Sequence, residues 1–135
     1  MYARLGDVAK LSLVALNAAA YRLAIGDVAG ARETAREALE LAMEARAGVY
    51  IPIAIQRLGT VAALLGDARR GALLLSYADR WLDTEGFGRE LTEQRTYDMG
   101  MDALRLVLDP QALADLEARG TDLSEAEAVE EARRV

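Results

Sequence analysis

Apolar residues recur along this chain at helical spacing, and Ala, Leu, Glu and Arg fill most positions, while β-branched runs are short. The pattern predicts an all-α fold of about seven helices, over 8–25, 28–45, 50–65, 68–85, 89–108, 110–119 and from 125 almost to residue 135. Two of them differ from the rest. The first and third, through "LSLVALNAAA" and "IPIAI…LGTVAALL", are apolar on nearly every side and must be covered all round. The fifth has a one-sided pattern, with Tyr97, Met101, Leu104 and Leu108 stepping along a single face.

The breaks between helices follow from residue chemistry. At Gly26-Asp27 and Gly66-Asp67 a glycine suited to a left-handed helix stop precedes an aspartate suited to capping the next helix. Each such turn predicts an antiparallel helix pair, so hairpins are expected over about 8–45 and 50–85. Asp7 is the expected cap of the first helix, Pro52 is tolerable in the first turn of the third, and Asp109-Pro110 starts the sixth, which Gly120 is expected to stop. Ser124 and Glu127 have the spacing of a capping box, with Leu123 placed as its hydrophobic staple.

The two Gly-Asp turns lie 40 residues apart, and the same offset matches Ala31 with Gly71, Ala35 with Leu75, and Ala38 with Ala78. Small residues at the first and last of these pairs admit close helix approach, as in solenoids whose hairpins bury their faces by stacking.

These positions resemble the tetratricopeptide pattern. Taking Ser12 as its first position, the first unit supplies Ala19, Gly26, Asp27, Ala31 and Ala38. The second supplies Gly59, Gly66, Asp67, Gly71 and Ala78. Ala15 and Ile55 stand where that family has tryptophan, and Arg22 and Ala62 also depart from its pattern. More broadly, "LNAAAYRLAIGDVAGARETAREALELAMEA", the "ADRW" helix and the closing "ARGTDLSEAEAV" are similar to the C-terminal helical repeats of bacterial signal-transduction ATPases and LuxR-type transcriptional regulators. The resemblance implies a single helical domain over 1–135, stacked as a right-handed superhelix and serving as a sensory or protein-interaction module. Its nucleotide switch does not carry over, because the chain has no Gly-x-x-x-x-Gly-Lys-Ser/Thr loop.

Composition narrows the chemistry. With 16 basic and 22 acidic side chains, and most of the excess acid after residue 60, the chain is a poor partner for nucleic acid or anionic lipid. Cysteine and histidine are both absent, which removes disulfides, thiolate chemistry, imidazole bases and the usual zinc ligands. No cofactor, metal or catalytic residue is therefore expected. The acidic groups Asp79, Asp83 and Glu85, and Glu125, Glu127, Glu130 and Glu131, read as solvated helix faces. Fifteen arginines against one lysine point to a GC-rich bacterial genome, and the lack of a leader pattern or apolar span points to a cytoplasmic protein.

Binding is expected at the apolar helices. The tetratricopeptide resemblance implies that Leu13, Leu16, Ala20, Leu23 and Ala24 from the first helix share a concave groove with Ile53, Gln56, Thr60, Ala63 and Leu64 from the third. Either helices five to seven fold back into that groove, or a partner helix or a second copy fills it. Without a polar terminal face the first helix invites self-association, giving a homodimer with Leu13 or Leu16 in contact. The alternative is a small-molecule effector site near Leu16, Gln56 and Thr60. Arg69 and Arg70, in the first turn of the fourth helix, are surface charge or an anion or acidic-partner contact; Tyr77 and Trp81, with Leu74, read as packing, with an aromatic ligand wall as the alternative.

Overall fold

A computed structural model describes residues 2–135, with side chains from residue 4 onward. Among the described residues there are seven helices and no strand: α1 (Tyr2–Ala24), α2 (Val28–Ala45), α3 (Tyr50–Leu64), α4 (Ala68–Thr84), α5 (Leu91–Val107), α6 (Pro110–Thr121) and α7 (Glu125–Arg133). None is long and apolar enough to cross a membrane.

The turns form as their residues dictate. Gly26 and Gly66 take φ of +84° and +93°, the left-handed conformation that costs glycine little. Asp27 and Asp67 then accept hydrogen bonds from the amides of Gly30 and Arg70, capping α2 and α4. Asp109 caps α6 at Ala112, with Pro110 in its first turn, and Ser124 and Glu127 form both bonds of the capping box on α7. Arg46 closes α2 with φ of 53°, a conformation that usually falls to glycine.

Two helix boundaries differ from expectation. α1 begins at Tyr2, so Asp7 lies within the helix and caps nothing. Ala3, Arg4 and Leu5 are good helix formers, and the extra turn pairs Arg4 with Glu44 of α2 at 3.3 Å. Gly120 lies inside α6 and is there for proximity: a Cβ at this position would stand 2.6 Å from the Leu73 carbonyl oxygen of α4.

α1 pairs with α2 and α3 with α4, and α2 joins the two pairs by packing on α3. One part of the core gathers Leu16, Leu23, Leu39, Ile55, Leu58 and Leu74 with Ala128, Val129 and Ala132 of α7. The other gathers Ala63, Ala72 and Leu75 with Met101, Leu104 and Leu113 of α5 and α6. The alanines Ala31, Ala35 and Ala38 are fully buried, as close helix approach requires. α5 packs on α3 and α4 and only lightly on α6, so these two helices do not form a third hairpin like the first two.

Candidate functional site

α1, α3 and α5 run side by side in the same direction, as their contacts show. Leu16 of α1 meets Arg57 of α3, Gln56 meets Glu93 of α5, and Thr60 meets Thr96. The groove expected between α1 and α3 is therefore occupied, and its occupant is α5.

Of the six residues expected to bind a partner or ligand, Gln56 and Thr60 are bonded to α5. Leu16, Ala20, Gln56 and Thr60 are buried. Leu16 faces the core of the chain. Ala20 still forms the floor of an open recess, while Leu13 and Ile53 line another at the opposite end of the groove.

The α3–α5 contact is polar, although α3 is among the most apolar segments of the chain. Gln56 Nε2 donates to the Glu93 carbonyl at 2.9 Å and to Thr96 Oγ1 at 3.2 Å. Thr60 Oγ1 donates to the Thr96 carbonyl at 2.7 Å. At Gly100 an added Cβ would lie 2.8 Å from Thr60 Oγ1 and 2.7 Å from Leu75 Cδ1, so the bare backbone is what lets α5 approach this closely.

Arg57 is the member of this network that sequence reasoning missed. It is wholly inaccessible, yet its donors reach the Leu16 carbonyl at 3.4 Å, Thr96 Oγ1 at 3.1 Å and Glu93 Oε1 at 3.5 Å. Burial pushes the guanidinium pKa below the ordinary arginine value, and the neighbouring Glu93 opposes this by charge and hydrogen bond. Glu93 Oε2 is itself buried without a hydrogen-bond partner. The signal was present as the one charged residue in 50–64, because arginine is almost never fully buried unless paired.

A second arginine continues the network outward. Arg89 pairs with Asp79, reaches Gln56 Oε1 at 3.4 Å, and lies 3.8 Å above the Tyr97 ring. Burial first, and then Asp79, raise the Tyr97 pKa; Arg89 works against them.

Two recesses remain open beside α5. One, of about 310 Å³, runs between α1 and α5 and is lined by Asn17, Ala20, Tyr21, Ala24, Arg95 and Met99, among others. The other, of about 300 Å³, brings Leu13 and Ile53 together with Tyr50, Phe87 and Glu90. The outer surface of α1 adds Leu11, Val14, Tyr21 and Ile25, all exposed.

Other singled-out residues have structural partners. Arg70 bridges Asp67 at 2.8 Å and Glu131 at 3.0 Å, tying α7 to α4, while Arg69 stays exposed. Tyr77 is in the core and Trp81 stacks on Phe87 with ring centroids 5.8 Å apart. Asp79 is paired with Arg89, and Glu130 with Arg134; among the described residues no three acidic side chains converge as a metal-ligand set.

No family model, no curated protein and no solved structure matches this chain.

Proposed function

We propose that this chain is a non-enzymatic, tetratricopeptide-like protein-interaction module, of the kind that serves as the sensory or assembly arm of a bacterial transcriptional or signalling regulator. The observation that carries the reading is the occupation of the α1–α3 groove by α5. Where an effector would need a closed apolar chamber, Gln56 and Thr60 are already bonded to α5. The apolar surface left over lies outside, on α1 and along the α1–α5 recess, where it suits a protein partner. The paired Gly-Asp turns and the alanine-rich contacts of α2 with its neighbours support the tetratricopeptide-like reading.

A photo-cross-linking side chain in place of Met99, at the open recess, tests this in cells that express the chain. The expected result is a discrete covalent adduct with another protein, absent when the same group replaces exposed Gln111 on α6. Effector sensing is the second reading, favoured by the 310 Å³ of the α1–α5 recess. It gains if no adduct forms at Met99 while a small molecule raises the unfolding temperature and a Met99→Trp substitution abolishes that shift.

A further inference from the structure

We propose that α1 is the seam of an antiparallel homodimer whose two-fold axis passes beside Ala18. This rests on the interaction-module reading and names a second copy of the chain as one partner of the α1 surface.

Leu11, Val14, Tyr21 and Ile25 are 56%, 65%, 66% and 61% exposed. With Ala18 between them they follow one another at intervals of three, four, three and four residues, the spacing of a coiled-coil seam. The stripe lies on the side of α1 away from Ala15, Ala19 and Leu23, which α1 buries in the core. It is solvent-facing by design of the pattern, since the α1 core residues already satisfy the intramolecular contact.

The stripe is complementary to its own antiparallel copy. Turned about Ala18, Leu11 meets Ile25 of the second copy and Val14 meets its Tyr21, while the two small Ala18 side chains meet where the helices come closest. Charge favours the same arrangement. Between Leu11 and Ile25 the only charged residue is Arg22, and it is engaged by the Gly30 carbonyl and Thr34 of its own chain. Lys10, the only lysine, falls beside the last turn of the opposite α1, where the helix dipole is negative and Asp27 follows. A parallel pair would instead set Arg4, Asp7 and Lys10 each against its own like charge.

The size of the stripe sets the class of the contact. From Leu11 to Ile25 it runs about 21 Å at the rise of a helix. Four large side chains of this exposure remove on the order of 400 Å² of apolar surface per copy, the range of weak, reversible interfaces. The dimer is therefore a weak, reversible one.

Light scattering after size exclusion, on the full chain over a concentration series, reads this directly. The mass rises from 14.6 kDa toward twice that value as concentration passes through tens to hundreds of micromolar. Val14→Glu and Ala18→Glu hold it at the monomer mass at every concentration, with helicity and unfolding temperature unchanged because neither residue is in the core. Orientation is read by disulfide formation, which is clean in a chain without cysteine. A mixture of Leu11→Cys and Ile25→Cys chains cross-links under mild oxidation, and Leu11→Cys alone does not. A wild-type chain monomeric at hundreds of micromolar overturns the proposal, as does a dimer indifferent to Val14→Glu or one that cross-links through Leu11→Cys alone. Tyr21 lines both the seam and the Met99 recess, so the mass of the Met99 adduct is read: an adduct with a different protein persists in Val14→Glu, whereas one with a second copy is lost with the dimer, and loss of the dimer and loss of the interaction-module reading are told apart.

Discussion

Arg57 and Glu93 are unequal partners. Arg57 is fully enclosed, whereas Glu93 keeps 17% of its side chain accessible. Removing the acid leaves a guanidinium buried with only neutral acceptors, and breaking a buried pair in this way costs about 3 kcal/mol. Removing the base is less severe: Glu93 can turn toward water, and a methionine of similar length fills the space. Urea unfolding should therefore place Glu93→Ala well below wild type and Arg57→Met between the two; equal losses would mean that the pair acts through packing alone. The same asymmetry explains why Thr96 matters. Its hydroxyl accepts from both Gln56 and Arg57 while its single proton is shared between the Thr92 and Glu93 carbonyls of its own helix, so one small side chain completes two buried donors.

At the scale of the helix, α6 is held to α4 by absence of a side chain. Because an added methyl at Gly120 would meet a backbone oxygen and not a flexible side chain, Gly120→Ala should move α6 and cost about 1–3 kcal/mol, seen as a lower unfolding temperature with most helicity kept. An unchanged temperature would show that α6 is free to shift. The role of Gly120 was hidden in the sequence, where a glycine eleven residues after the capping Asp109 reads as a helix stop. Gly26 and Gly66 were legible because their neighbours Asp27 and Asp67 specify the turn locally. The general rule is visible in the helices themselves. The 28–45 span and the capping box of α7 depend on residues a few positions apart and were readable. What fills the groove depends on Gln56, Thr60 and Thr96, about 36–40 residues apart, and helical spacing carries no record of such pairings. Arg57 was overlooked for the same reason: its partner Glu93 lies on another helix.

For the whole molecule, α7 is the closing piece. It lies against α3 and α4 and reaches α2 through Arg133, which forms two hydrogen bonds to Glu40 at 2.8 and 2.9 Å. The side-chain hydrogen bond from Arg133 lowers the Glu40 pKa, desolvation opposing it, and the charges of Arg133 and Arg36 lower it further. A carboxylate whose folded pKa is depressed contributes stability above its unfolded pKa and loses that contribution as pH falls through the folded value. Glu127 in the capping box is shifted the same way, chiefly by its backbone hydrogen bond to Ser124. Acidification from pH 6 toward pH 3 should thus loosen α7, and the Glu40 carboxyl followed by NMR should titrate below the ordinary range. In Arg133→Gln its midpoint should rise; an unmoved midpoint would show that the ion pair does not form in solution. The contacts of α7 also set an order in time. The backbone carbonyl of Val135 accepts from Arg32 Nε at 2.7 Å across 103 residues, whereas each Gly-Asp hairpin closes locally. During synthesis from the N-terminus the two hairpins can form as they emerge, but the α3 and α4 surface that α7 covers stays open to water until residues 125–135 have left the ribosome. A nascent chain paused before that point presents the α3 and α4 surface beneath α7 to the cell, and the emergence of α7 is what shields it.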